Sequence, residues 1–438
     1  MIKIIKGGAG TGKTHQIKSI YQANPTTTVV VCPTNKAAGV LKLRGIPAHT
    51  LHSALYSVIP TGKFKIVCTP VLNAETKRPA VNANGEIVYH EVEEEICEYQ
   101  FNEQALYTRK LISPGVPLSS VTLVIDEASM ISAATWKKLL NEFSGNIIAV
   151  GDEKQLAPIE SELDDLEKQL KDTDKNTLLY KVLKAKYDDL NQYRNYFANA
   201  VATQTLSTVY RQAAGSGILT VASSVINTGH FPKEFSANGA VCDDWDKSGQ
   251  NLNDPTIKAL LSTVDIVICH KVAVCNHINA HIRSIKFEKE FEKLSEPKKR
   301  LPRVSDKLYV TTKCKLANDD VIDKGQQLII TNIVQLDAIN NIIYCDVIND
   351  AGVEFLNVPV SLQFATGKGP DKKIISLKVI YGYAITCHKS QGSQWPSVMV
   401  IDERTHHITK NWRYTAATRA SEFLYVGIWG GASYAIGK

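Results

Sequence analysis

The sequence predicts an α/β protein built from two doubly wound parallel-sheet domains, and three observations predict it. Short, mainly apolar runs recur at residues 2–5, 29–32, 121–125, 146–150 and 264–269, those at 121–125 and 146–150 without alternation, as suits strands buried on both faces of a parallel sheet. Stretches of helical period separate these runs, the alternation typical of α/β domains. A glycine loop follows the first run directly. It would lie beyond the carboxyl end of a strand, where such sheets bind their ligands.

Length and composition agree. A chain of 438 residues divides into two or three domains, each able to bury a core. With 44% hydrophobic and 21% charged residues, wholesale disorder and fibrous repeats are excluded. A net charge of +6 is a mild excess, compatible with a nucleic-acid groove without demanding one. The nine cysteines include no C-x-x-C pair, so free thiols in a reducing compartment are expected rather than a zinc site. The opening residues lack a secretory pattern, and no run approaches the roughly 18 to 20 apolar residues of a spanning helix. A cytoplasmic protein with no membrane partner is the expectation.

In chain order, the 2–5 strand enters the loop, and the 29–32 strand leads through Pro33 into a helix over 35–41. Between Tyr56 and Pro117 the rhythm breaks. Runs at 63–69 and 86–92 read as strands, with Asn82-Ala83-Asn84-Gly85 as a turn. The expected first domain is therefore 1–58 plus 118–205, interrupted by a hairpin insert at 59–117. Leu163, Leu166, Leu170, Leu179, Val182 and Leu183 give residues 161–200 a helical period, expected to be a solvated insertion. The second domain is expected at 206–285 and 378–438, with the α/β pattern returning at Val379. Runs at 308–312, 327–333, 341–348 and 353–360 place a small β-barrel insert in 286–377.

Gly7-Gly8-Ala9-Gly10-Thr11-Gly12-Lys13-Thr14 satisfies G-x-x-x-x-G-K-[ST] after a strand and before a helix. Glycines let backbone N–H groups curl around phosphate oxygens, and the helix N-terminus adds partial positive charge. Gly8, Ala9, Gly10, Thr11 and Gly12 would cradle ATP. Lys13 would reach its β- and γ-phosphates, and the Thr14 hydroxyl would join Mg²⁺. Leu123-Val124-Ile125-Asp126-Glu127 is an apolar strand ending in two carboxylates. Asp126 is suited to hold Mg²⁺ and Glu127 to polarise an attacking water as general base. The blander reading of the pair, helix capping, carries less weight beside the loop. The two motifs imply a nucleotide hydrolase without saying what the hydrolysis drives.

Further blocks narrow the class. Gly151-Asp152-Glu153-Lys154-Gln155-Leu156-Ala157-Pro158 resembles motif III of superfamily 1 helicases. Thr208-Val209-Tyr210-Arg211-Gln212 resembles their motif IV, and Tyr383-Ala384-Ile385-Thr386-Cys387-His388-Lys389-Ser390-Gln391-Gly392 their motif V. Tyr414-Thr415-Ala416-Ala417-Thr418-Arg419-Ala420 resembles motif VI. Pro33-Thr34-Asn35-Lys36-Ala37-Ala38 and His49-Thr50-Leu51-His52 resemble the two DNA-contacting motifs that precede the carboxylates. The blocks keep the family's order from residue 7 to about 426, and the branch most resembled is the RecD/Dda-like one, often phage-encoded.

That resemblance implies two RecA-like domains with the nucleotide cleft between them, a β-hairpin pin in the first and a small SH3-like β-barrel in the second. It implies an ATP-dependent DNA helicase that translocates 5′→3′ on single-stranded DNA and opens forked or tailed duplex, acting as a monomer in replication or recombination. Replication or single-strand-binding proteins are the implied partners, and the host cytoplasm the location if the chain is phage-encoded. Cations can stabilise the charge spread over the γ-oxygens in the transition state, and Arg211 and Arg419 are the candidates. Gln155 and Gln391 are placed by their motifs to sense the γ-phosphate. Pro33, Thr34, Asn35, Thr50, His52, Thr386 and His388 fall at positions the family aims at the DNA strand. Tyr89 and Phe64 are candidates for the strand-splitting tip of the pin.

The chain departs from the pattern in two places. The segment in which relatives carry an adenine-reading glutamine is not found ahead of the loop, which leaves selectivity for ATP open. The 161–200 insertion is longer than the branch leads one to expect. Competing readings are a DNA-stimulated translocase with little unwinding, another P-loop phosphotransferase, and a binding module with a degenerate nucleotide site. No guanine-reading N-K-x-D occurs, and Lys13 and Glu127 are both present, which weighs against the last two.

Overall fold

The computed structural model describes residues 1–73, 75, 78–208, 216–370 and 373–433. The chain forms two compact units, the first being Met1–Val58, Tyr99–Phe231 and Thr409–Thr418, the second Ile59–Glu98, Pro232–Ile408 and Arg419–Lys438.

The first unit is built on β1 (Ile2–Gly7), β2 (Thr28–Cys32), β3 (Ala48–Thr50), β6 (Thr122–Ile125), β7 (Asn146–Gly151) and β8 (Gln204–Leu206). Between β3 and β6 run the hairpin strands β4 (Tyr56–Pro70) and β5 (Tyr89–Phe101). The sheet order is β3-β2-β6-β7-β1-β8, and every neighbouring pair is parallel. All five residues of β2 are buried, which is why these strands read as unbroken apolar runs. Leu206 pairs with Gly7, so the run expected to open the second domain instead closes the edge of the first sheet. The expected solvated insertion is a pair of helices, Ser161–Asp172 and Leu178–Asn191. Leu163 and Leu190 pack with Ala133 of the Ala133–Glu142 helix, so each helix buries one stripe and leaves the rest in water.

The second unit holds β9 (Glu234–Ala237), β10 (Ala240–Asp244), β11 (Ile266–Cys269), β19 (Ala384–Thr386), β20 (Trp395–Asp402) and β21 (Ala420–Ile428). Their order is β19-β11-β20-β21-β10-β9. All pairs are parallel except β9–β10. The two parallel sheets with flanking helices are two RecA-like domains, the predicted fold class.

Inserted in the second sheet is a five-stranded sheet, antiparallel throughout, whose strands lie side by side in the order Glu354–Ser361, Ile342–Asn349, Gln327–Asp337, Lys307–Val310 and Val379–Tyr381. Its strands are β12 (Lys307–Val310), β15 (Gln327–Asp337), β16 (Ile342–Asn349), β17 (Glu354–Ser361) and β18 (Val379–Tyr381). The short pair β13 (Cys314–Lys315) and β14 (Val321–Ile322) lies beside it in sequence. Val379–Tyr381 thus closes the insert, and the α/β pattern returns only at Ala384. The change of sheet falls at Gly382, where an added Cβ would lie 3.0 Å from the Leu308 carbonyl carbon.

The hairpin is longer than the runs that announced it. Its connecting segment turns at Asn82, whose Oδ1 accepts the Asn84 and Glu86 N–H groups at 2.9 and 3.0 Å, with Gly85 at φ +78. Residues 86–88 belong to this segment rather than to β5.

Neither aromatic candidate lies at that turn. Tyr89 is an anchor instead: its hydroxyl donates to Asp337 Oδ2 at 2.8 Å and lies 3.0 Å from the Tyr344 hydroxyl. The Cys68 N–H donates to the Lys373 carbonyl, and the Cys68 carbonyl accepts the Ile375 N–H at 3.0 Å, so this end of the ribbon is fastened to the antiparallel insert. Phe64 is exposed in the body of β4.

Candidate active site

Each functional side chain of the first unit sits at or just beyond the carboxyl end of a strand. The phosphate loop joins β1 to the Lys13–Ala23 helix. Gly10 and Gly12 have φ of 76 and 83, left-handed values that a side chain would resist. An added Cβ at Gly7 would meet Thr11 Oγ1 at 2.5 Å. The Thr11 hydroxyl donates to the Gly8 carbonyl at 2.9 Å. Lys13 Nζ donates to the carbonyls of Gly7 and Gly8 at 2.9 and 2.8 Å, folding the ammonium over the loop. Thr14 Oγ1 accepts from Arg44 Nη1 at 3.0 Å.

Asp126 and Glu127 follow β6. Asp126 is 9% exposed, and its Oδ1 accepts the Glu127 N–H at 2.9 Å. Burial, with the neighbouring Glu127 charge, pushes the Asp126 carboxyl up to about 7, while Lys13 and Arg44 pull the other way. Glu127 is held at φ 51, uncommon for a non-glycine residue, and its Oε2 is buried without a hydrogen-bond partner. Two adjacent carboxylates largely out of water, one with an unmatched oxygen, form a donor set that suits a hard cation.

After β7 comes Asp152, 1% exposed. Its Oδ1 accepts the Lys154 N–H at 3.0 Å and its Oδ2 the Tyr414 hydroxyl at 2.8 Å. Burial raises its carboxyl, and Lys13 and the Tyr414 hydroxyl oppose the shift. Gln155 is buried, with Oε1 lacking a partner. The Lys410–Ala417 helix holds this turn: Asn411 Nδ2 donates to the Gln155 carbonyl at 3.1 Å, and Thr415 Oγ1 accepts the Leu156 N–H at 2.8 Å.

Residues matched to DNA contacts lie toward one side of the same sheet. Pro33 and Thr34 follow β2, while Thr50 ends β3, the edge strand, and His52 follows it. Thr34 Oγ1 caps the Asn35–Leu43 helix by accepting the Ala37 N–H at 3.2 Å. Thr50 Oγ1 caps the Leu51–Leu55 helix from Ser53 N–H at 3.0 Å. Each hydroxyl is an acceptor in its cap and keeps a proton to donate. Asn35 and His52 are exposed, and His52 stacks on Tyr56 with ring centroids 4.6 Å apart.

In the second unit, Thr386 ends β19 and precedes the short Cys387–Ser390 helix carrying exposed His388. Gln391 and Arg419 are buried, and Arg419 Nη1 donates to the Ser393 carbonyl at 3.1 Å. Arg211 lies outside the described residues.

Within the first unit, Lys13, Thr14, Asp126, Glu127 and Gln155 thus sit beyond the carboxyl ends of β1, β6 and β7, neighbours in the sheet order. Motif reading did not single out Tyr414, Asp152 or Arg44. It also passed over Glu403, 1% exposed, whose Oε1 accepts the His270 and Lys271 N–H groups at 2.8 and 2.9 Å just after β11. Tyr414 and Asp152 lay inside the quoted motifs, whereas nothing local marks Arg44 or Glu403.

Residues 1–199 match the family model of an AAA domain, and residues 381–426 that of a UvrD-like helicase C-terminal domain. No protein of the curated set matches the sequence. Among solved structures, a Pif1 helicase from Bacteroides in complex with ADP-AlF3 and ssDNA is similar over 97% of this chain and 88% of its own. The identity is 17% and the TM-score 0.48. The Pif1 helicase from Candida albicans is similar over 98% of this chain and 91% of its own, at 16% identity and a TM-score of 0.47. The two model matches support a helicase of superfamily 1, an ATP-hydrolysing enzyme, as the general class of this chain.

Proposed function

We propose that this chain is an ATP-dependent DNA helicase that translocates 5′→3′ on single-stranded DNA and opens tailed or forked duplex, in replication or recombination. The observation that carries the reading is the first sheet, whose carboxyl edge holds a phosphate loop, the buried Asp126 beside the half-buried Glu127, and a separate row of polar strand-end residues. A motor needs these together, a site for the fuel beside a site for the track.

ATP would lie on Gly8, Ala9, Gly10, Thr11 and Gly12, with the Lys13 ammonium turning from the loop carbonyls to the β- and γ-phosphates. Among the described residues no group of three or more His, Cys, Asp or Glu side chains is placed to hold a metal. By their places in the two motifs, Thr14 and Asp126 would hold Mg²⁺, which when bound would neutralise phosphate charge. Glu127 takes a proton from the attacking water, its unmatched Oε2 being the acceptor. Gln155 orients that water or the γ-phosphate, as does Gln391. Arg419, with Arg211, stabilises the charge of the transition state. Thr34, Asn35, Thr50, His52, Thr386 and His388 hold the strand through phosphates, with Pro33 as an apolar surface for a base.

Strand displacement on duplexes with a 5′ or a 3′ single-stranded tail tests this reading. Opening of the 5′-tailed substrate only, with ATP and not without it, is expected. A reversed or absent tail preference would overturn the polarity, and ATP hydrolysis without strand release would leave a translocase.

A further inference from the structure

Tyr414 fastens the phosphate loop to the turn after β7. Its hydroxyl accepts the Ala9 N–H at 3.1 Å and donates to Asp152 Oδ2 at 2.8 Å. The residue is buried, and its oxygen lies 3.3 Å from where a Cβ at Gly8 would stand, so it occupies the space beside the loop that a side chain at Gly8 would need. Its position is set from several sides. Thr409 caps its helix through the Trp412 N–H at 3.2 Å, and Asn411 and Thr415 bond the Gln155–Leu156 backbone.

A phosphate loop works by aiming its N–H groups at phosphate oxygens. The Ala9 N–H has a single hydrogen, and a phosphate oxygen and the phenol oxygen are rival acceptors for it. The phosphate is charged and is the stronger of the two. The phenol also loses less than a stranded group would, because Asp152 still accepts its proton.

We propose that Tyr414 is a positioning residue whose hydroxyl competes with the nucleotide phosphate for the Ala9 N–H, so that seating a nucleotide unfastens the loop from the Lys410–Ala417 helix. The inference rests on the nucleotide-site reading above and adds a coupling that the reading does not contain. Tyr414 precedes Arg419 by five positions on the chain. Phosphate occupancy is thereby linked to the segment that carries the proposed transition-state cation.

The test is equilibrium binding of N-methylanthraniloyl-labelled ADP, with Mg²⁺, to the full chain and to Tyr414→Phe. The substitution keeps the ring and removes the rival acceptor, so affinity should rise about two- to tenfold, the span of one net hydrogen bond. A merely structural role would weaken binding or leave it unchanged, which makes the sign diagnostic. Asp152→Asn offers the phenol a neutral, weaker acceptor and should move affinity the same way by less. This second variant decides between the same outcomes if Tyr414→Phe does not fold. Wild-type binding with neither variant tighter would overturn the competition alone. A wild-type chain that binds no nucleotide would overturn the nucleotide-site reading and the competition with it.

Discussion

Arg283 and Asp306 form a two-point ion pair closed off from water. Arg283 Nε lies 2.9 Å from Asp306 Oδ1 and Nη2 3.1 Å from Oδ2, with the two side chains 3% and 0% exposed. The guanidinium also donates to the carbonyls of Lys299 and Leu301 at 2.9 and 2.7 Å and stacks 4.1 Å above the Tyr381 ring. Asp306 further accepts the Tyr383 hydroxyl at 3.0 Å and the Arg303 N–H at 2.8 Å. Arg283 belongs to the Val272–Lys286 helix, and Tyr381 to β18. One guanidinium therefore joins the second parallel sheet's helical layer to the antiparallel insert.

Removing Arg283 would strand a fully buried carboxylate. Arg283→Leu should cost about 3–5 kcal/mol of stability, because breaking a buried pair leaves an uncompensated charge. Urea unfolding read by circular dichroism measures it, and a midpoint within error of wild type would contradict the assignment.

Five histidines should each weaken the fold in acid. Partial loss of hydration holds the imidazoles of His49, His52, His270, His281 and His388 below their usual 6.5, even though His52 and His388 keep an exposed face. Nearby charges add to the shift, Lys42 at His49, Lys138 at His52 and His270 at His388. At these histidines the unfolded chain binds more protons below about 6.5, so their share of stability falls with acid, while the raised carboxyls of Asp126 and Asp152 act in the opposite direction. Urea midpoints at about pH 7.5 and pH 5.5, compared between the unchanged chain and a histidine variant, isolate one such share. Relative to the unchanged chain, His388→Gln should gain in midpoint at the acid end, and an identical pH dependence of the two would exclude His388 as a contributor.

Both predictions turn on burial, which also governed what the sequence disclosed. The Thr28–Cys32 strand was legible because a strand covered on both faces must be apolar throughout. The ribbon was half legible: its ends Tyr56–Pro70 and Tyr89–Phe101 exceed the runs that marked them. Exposed glutamates such as Glu93 and Glu98 carry no strand signal. Val379–Tyr381 was assigned to the wrong sheet because three apolar residues fit either, and only pairing with Leu308–Val310 decides. Lys13 and Asp126 were legible as local motifs. The Tyr414–Ala9 contact spans 405 positions, and no local pattern encodes it.

The anchor at Tyr89 predicts a local effect. Tyr89→Phe removes the bonds to Asp337 and Tyr344 and should cost about 1 kcal/mol. Asp337 keeps the Asn340 side chain and backbone as partners, so the loss should not spread. Faster proteolytic nicking within 71–88 at an unchanged global melt is expected. Unchanged nicking would mean that the Cys68 backbone bonds hold this end alone.

Glu127 is the sharpest test of the chemistry. With Glu127→Gln the side chain keeps its shape and loses its capacity to take a proton. DNA-stimulated hydrolysis should fall by about 10²–10⁴-fold while nucleotide still binds, as labelled ADP reports. Turnover equal to wild type would remove Glu127 as the base.

Arg419 separates fuel from track. Its guanidinium is buried, and the Ser393 carbonyl anchors one end of the fork, which limits the ways the planar group can turn. If it meets transition-state charge, Arg419→Ala should lower turnover by about 10³-fold and leave the affinity for an oligodeoxythymidine nearly unchanged. Arg419→Lys keeps the charge but cannot reproduce the planar fork, so it should recover only a small part of the rate. Turnover unchanged in the alanine variant would take Arg419 out of the catalytic set. Loss of DNA affinity with turnover retained would move it to the track.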